Sequence, residues 1–222
     1  MKPLGAILAL LWILFGITGV IWWMAGDGAF LAAEMLRFAP PEDTGLPAEE
    51  YPGMGDMIAG YLTGRAERFQ YEITGSGEEP LRCFHDYEAA HMADCRGLIR
   101  LDGAVAAVSG ALALALTGLA AVRFRRDRRL YRGLRTGLRM AAVVMGSLLA
   151  WALIDFDGLF ITFHRVAFTN DGWLLNPRTD LLIRLMPEKF FVSLGIRGAL
   201  RAMAVPLAIE VVARIAPGSV KE

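Results

Sequence analysis

The chain has 222 residues, 55% of them hydrophobic, and its 23 basic and 23 acidic side chains cancel to a formal net charge of zero. With a mean hydropathy of +0.42, that composition argues against an ordinary soluble domain and for a membrane protein. No Ser/Gly linker, low-complexity tract or repeat period divides it, so one domain embedded in a bilayer is the simplest organisation.

A helix needs about 20 mostly apolar residues to cross the hydrocarbon core. The first such stretch, at about 4–25, reads LGAILALLWILFGITGVIWWMA and ends on Trp22 and Trp23, which suit the membrane interface. It is longer than the apolar core of a secretory signal, about 7–15 residues, so it reads as a retained helix and not a cleaved leader.

The loop that follows, about 26–102, is rich in acid: Glu42, Asp43, Glu49, Glu50, Asp56, Glu67, Glu72, Glu78 and Glu79. APPEDTGLP is turn chemistry. MGDMIAGYLTGRAERF places Met57, Ile58, Tyr61 and Leu62 at helical spacing, with a start signal at Asp56. RFQYEIT alternates, GSGEEP turns and LRCF returns, which predicts a small β-hairpin. HDYEAAHMADCRGLIR then predicts a helix running toward the next span. On it Glu88, His91 and Asp94, three apart, share a face, and His85 falls one step further back along the same stripe.

The second span, about 103–122, is built of Ala, Leu and Gly. The link at 123–137 sets Arg123, Arg125, Arg126, Arg128, Arg129, Arg132 and Arg135 against a single acid, Asp127. An Arg run of this kind also occurs in nucleic-acid patches, but apolar spans flank it directly, and short basic loops stay in the cytoplasm. Lys2, Arg214 and Lys221 agree with that side. Both termini are therefore expected in the cytoplasm, and the loops at about 26–102 and 155–189 outside.

The third span, about 138–156, has Arg139 near enough to an end to snorkel. In the loop after it, Phe160, Phe163, Phe168 and Trp173 surround His164 with apolar bulk. NPRTDLLIRLMP predicts a short amphipathic helix lying on the membrane, and Pro187 suits the first turn of the fourth span. That span, about 190–212, is interrupted by Arg197, Arg201 and Glu210. Arg197 and Arg201 lie four apart on one face. Charges within a span are functional candidates, here for a lipid phosphate or carbonyl, with snorkelling as the plainer reading.

His91 and His164 are the leading pair, because imidazole both takes and gives a proton near neutral pH. The plainer reading is two interfacial histidines with satisfied hydrogen bonds. His85, Glu88, His91, Asp94 and His164 offer metal-ligand chemistry, but HxxExxH is not the HExxH spacing of the zincins. Cys83 and Cys95 bracket the His-rich helix in a compartment that permits a disulfide. Nothing marks either as a low-pKa nucleophile beyond a nearby His. No span carries the polar series of a transport path.

YLTG, EAAHMAD and FITFHRVAFTNDGW…NPRTDLLIRLMPEKFF resemble the lipoprotein intramolecular transacylases, four-span bacterial membrane proteins. Two positions depart: Cys95 stands where an aliphatic is expected, and His85 is an extra imidazole. The resemblance implies a mainly α membrane fold, a four-helix transmembrane bundle with a small extracytoplasmic cap. It implies an acyltransferase in the bacterial cytoplasmic membrane. The sn-2 acyl chain of a diacylglyceryl lipoprotein would move to the α-amine of its N-terminal cysteine, leaving a lyso-form. Donor and acceptor share one molecule, so no cofactor, metal or external donor is implied. The partners are the diacylated lipoprotein N-terminus and membrane lipid, not nucleic acid; oligomeric state is open. His164 is expected as base and His91 as acid or oxyanion partner, with the reverse open. Glu88, Asp94, Asn170 and Trp173 are expected to support them, and Arg197 and Arg201 to bind substrate or lipid. The rival classes are a metal-dependent membrane hydrolase and a non-catalytic lipoprotein-binding protein.

Overall fold

The computed structural model describes residues 1–73, 81–124 and 126–215. The GSGEEP turn, with Glu78 and Glu79, lies outside the described residues, as do Arg125 and Lys221. In chain order the elements are α1 (Lys2–Gly26), α2 (Gly28–Phe38), α3 (Pro41–Thr44), a 3-10 turn (Ala48–Glu50), α4 (Tyr51–Thr63), β1 (Glu72–Ile73), β2 (Leu81–Arg82), α5 (Asp86–Arg123), α6 (Arg128–Ile154), α7 (Phe156–Ala167), α8 (Leu181–Leu185), α9 (Glu188–Ala202) and α10 (Ala204–Ile215). Among the described residues α1, α5, α6 and the α9–α10 stretch are long and apolar enough to cross a membrane. Among the described residues the protein is mainly helical with a small two-stranded sheet, as expected.

The chain divides into two compact units. The first takes Met1–Val20, Gly103–Thr162 and the described residues from Ala199 onward. Its core is a seam of Leu8, Ala9, Ile13, Ala120, Leu130, Leu134, Ile209 and Ala213. Close approach of α1 and α6 depends on glycine: a Cβ on Gly5 would overlap the Leu130 carbonyl oxygen, and one on Gly133 would overlap that of Lys2. Small residues allow such backbone proximity in a setting where water does not drive helices together. Most of the basic link is helical. Asp127 caps α6 by accepting from the Arg129 N–H at 2.8 Å, so Arg128 to Arg135 form its first turns. The final span is broken at Met203, because Pro206 has no N–H to give the Ala202 carbonyl and its ring crowds that turn.

The second unit takes Ile21–Asp102 and Phe163–Gly198. Asp27 ends α1 and caps α2, accepting from the Phe30 N–H at 3.0 Å. Helices α2 and α4 pack with backbones nearly touching; a Cβ on Gly55 would meet the Gly28 carbonyl. Around them Leu31, Met35, Tyr51, Met54, Ile58, Phe84, Leu185 and Phe190 make a dense core. Helix α4 begins at Tyr51, five residues before the expected start, with Pro52 in its first turn; Asp56 is an interior residue, not a cap. It ends on Gly64 at φ +82°, where the Arg65 N–H returns to the Gly60 carbonyl at 2.8 Å, a left-handed terminus that favours glycine. The two expected strands pair antiparallel, Glu72 with Arg82 and Ile73 with Leu81. Helix α8 is shorter than expected and docks on protein: Leu181, Leu182 and Leu185 are buried in the core.

Candidate active site

Helix α5 has no proline and runs unbroken for 38 residues, about 57 Å at 1.5 Å per residue. That is nearly twice the roughly 30 Å hydrocarbon core, so its first turns project beyond the apolar stretch that starts near Gly103. His91 lies on this projecting part, and His164 lies in the last turn of α7. Each is 8% exposed. Their ring centroids are 6.2 Å apart, and Phe168 packs against both, at 5.1 Å from His91 and 5.5 Å from His164. Trp173 lies 5.0 Å from the His164 ring and Phe163 stands edge-on to it at 5.3 Å. Two imidazoles thus meet in an aromatic enclosure, although 73 positions separate them in the chain.

Polar contacts hold this arrangement. One turn along α5 from His91, the Cys95 Sγ lies 3.5 Å from His91 Nε2. His91 Nδ1 is buried with no hydrogen-bond partner. Burial, and then the facing His164, push the His91 pKa below its ordinary 6.5, while Asp94 pulls the other way. Burial pushes the Cys95 thiol up to about 12, so the sulfur keeps its proton. Asn170 Nδ2 donates to Asp94 Oδ2 at 2.9 Å, and Asn170 Oδ1 accepts from the Gly172 N–H at 2.9 Å. That bond ties the turn after α7 to α5.

Glu88 has a different role from the one expected. It is fully buried, and it accepts from the His85 N–H at 2.7 Å and the Leu182 N–H at 2.8 Å. Both oxygens serve backbone donors, so Glu88 caps α5 and fastens α8 to it. Beside it the Tyr87 hydroxyl donates to Asp180 at 2.6 Å. Asp180 also accepts from the Thr179 hydroxyl and the Asn176 N–H. Burial opposes ionisation there, but these donors hold the Asp180 carboxyl below the usual carboxylate range. Tyr87 and Asp180 are absent from the residues singled out in the sequence, and Cys95 stands there only as a disulfide candidate. The local signal for Asp180 is the Asn176-Pro177 turn before it.

The family of lipoprotein intramolecular transacylases, Lit, matches residues 4–191. The chain belongs to that family. The transacylase of Bacillus cereus, described as membrane integral, has a similar structure, with a TM-score of 0.75 and 18% identity over 96% of this chain and 94% of that one. Two variants of the Bacillus cereus protein, with a histidine replaced by arginine or by alanine, match at a TM-score of 0.69 and 19% identity. They cover 96% of this chain and 91% and 92% of theirs. At such identity the likeness carries the fold. No curated protein matches.

Two expectations need correction in this transacylase, the disulfide and the place of His85. Cys83 and Cys95 are free thiols. His85 is off the stripe: it precedes α5, is exposed, and stacks on Tyr87 at 5.1 Å. Among the described residues no three His, Cys, Asp or Glu side chains converge as metal ligands. Arg197 is bound to the buried Glu34 at 3.1 Å, and Arg201 is exposed one turn further along α9.

Proposed function

We propose that this acyltransferase moves the sn-2 acyl chain of a diacylglyceryl lipoprotein to the α-amine of its N-terminal cysteine. The observation that carries the reading is the buried pairing of His91 and His164 within an aromatic enclosure. The amine nitrogen attacks the ester carbonyl carbon, forming the N–C bond. His164 takes the amine proton. The tetrahedral oxyanion then collapses, the bond to the glycerol sn-2 oxygen breaks, and that oxygen receives the proton from His164. His91 donates Nδ1–H to the oxyanion.

The Cys95 contact supports this division. A protonated thiol donates to Nε2, since imidazole nitrogen accepts far better than sulfur, so the ring proton of neutral His91 belongs on Nδ1. Nδ1 is the buried atom without a partner, the property wanted of a preorganised oxyanion donor. Tethering amine and ester on one molecule supplies much of the remaining advantage, up to about 7–11 kcal/mol in model systems. Asp94 and Asn170 position His91 and the turn after α7; Trp173 holds the His164 ring.

The same reading places the site on the outer face of the cytoplasmic membrane and both ends of the chain inside. On α5 the apolar stretch at 103–122 stands between His91 and Arg123 in sequence, and it is long enough to cross the hydrocarbon core. The arginines at the α5–α6 junction then face the cytoplasm. Labelling by a membrane-impermeant maleimide in intact cells checks this: Asp86→Cys should react and Arg126→Cys should not, and the reverse would sink the topology.

Tandem mass spectrometry of a diacylated lipopeptide tests the chemistry. Total mass should stay constant while one acyl chain appears on the N-terminal amine, and His91→Ala and His164→Ala should each slow that transfer by about 10²–10⁴-fold. Loss of a whole chain would point to a hydrolase. Binding without rearrangement would point to a scaffold.

A further inference from the structure

In the second unit, α2 and α9 enclose a cleft of about 520 Å³ that neither histidine lines. Arg37 and Phe38 form one side, and Lys189, Val192, Ile196 and Arg197 the other. The charges are arranged in two layers. Arg197 is answered from beneath by Glu34, which is 3% exposed and also accepts from the Ser193 hydroxyl. The second layer is at the surface, where Arg37 and Lys189 are exposed and, among the described residues, Glu188 is the acid in the cleft lining.

Helix stability does not account for Lys189. It sits in the first turn of α9, where the helix dipole disfavours a cation. Arg37 lies over the Phe38 ring at 5.1 Å, an arrangement that holds a guanidinium in place. Behind the two cations the wall is apolar: Phe38, Val192 and the exposed Ile196, on a helix that continues into a stretch apolar enough to span the membrane.

We infer that this cleft binds a phospholipid with an anionic headgroup, its phosphate between Arg37 and Lys189 and its acyl chain along Phe38, Val192 and Ile196. Paired cations suit a phosphate diester, and basic pockets beside membrane helices bind lipid headgroups in the same way. The apolar wall beyond the cations selects a lipid over a free anion or an acidic peptide. The site is separate from the acyl-transfer reading and stands or falls without it.

Native mass spectrometry of the delipidated full-length protein decides it. The probes are phosphatidylglycerol, phosphatidylcholine and inorganic phosphate, each added alone. The parent should hold one phosphatidylglycerol several-fold more often than phosphatidylcholine. The Arg37→Ala, Lys189→Ala double variant should lose that preference, Lys189→Gln should weaken it, and Glu188→Gln should strengthen it. The melting temperature in detergent checks that each variant is folded; if the double variant does not fold, Lys189→Gln and Glu188→Gln decide. Equal retention of the two lipids, an undiminished preference in Lys189→Gln, or inorganic phosphate binding as well as the lipid would overturn the inference.

Discussion

The two units hide their apolar side chains in opposite ways. In the second, Tyr51, Met35, Met54, Ile58, Leu185 and Phe190 are almost wholly buried, as in a soluble domain of high packing density. In the first, Val122 is 81% exposed and Ile154 85% exposed, and the internal seam is narrow. A lipid-facing surface needs no protein to cover it, so helix contact there rests on small residues and close fit. The unit with the dense core also holds both histidines. A site that must keep two imidazoles within a ring's width needs rigid support, and a packed core with satisfied polar groups supplies it.

The sharpest way to break this contrast is the histidine pair. His91→Ala or His164→Ala should lower the transacylation rate by about 10²–10⁴-fold, the usual scale of acid–base help, while thermal unfolding stays near that of the parent. Full activity in either folded variant would end the assignment. Next in size is Glu88→Ala. It strands the His85 and Leu182 N–H groups, at a cost of about 3 kcal/mol. The expected readout is faster hydrogen exchange at the start of α5 and across α8, and unaltered protection there would mean Glu88 is not the fastener described.

Gly5→Ala tests the other unit, where a Cβ meets the Leu130 carbonyl. Overpacking of this kind costs about 1–3 kcal/mol, read as a lower unfolding temperature in detergent. A variant as stable as the parent would show that α1 and α6 tolerate separation. The smallest effect is a pH shift. His91 already sits below 6.5 through burial and the facing His164, with Asp94 raising it. Asp94→Asn removes the raising charge, so His91 stays neutral to lower pH still, and the acid limb of the rate profile should move down. Movement up would contradict the electrostatics.

Much of this was legible in the chain. Apolar runs of spanning length announced four crossings, and the spacing of Glu88, His91 and Asp94 announced one helix. Alternation and turn residues announced the hairpin. Helix α2 carries its cap and periodicity in Asp27, Leu31 and Met35, a short signal inside a long stretch whose turn residues dominate the local pattern. The start of α4 was misplaced because Asp56 looks like a cap, whereas Pro52 opens the helix. The disulfide does not form because compartment and spacing speak only to opportunity, and the fold sets the Cys95 sulfur against His91 instead. A shared face pairs Glu88 with His91, but the His85 and Leu182 N–H groups occupy both of its oxygens.

Composition and periodicity alone therefore determined the class of environment, the number of crossings and the helix that carries His91, since each depends on residues near one another in sequence. Tertiary structure decided that His91 meets His164, that Cys95 and not Cys83 is its neighbour, and that Arg37 and Lys189 share a cleft. Such pairings arise from how separate segments pack, and no local preference encodes the distance between side chains many turns apart.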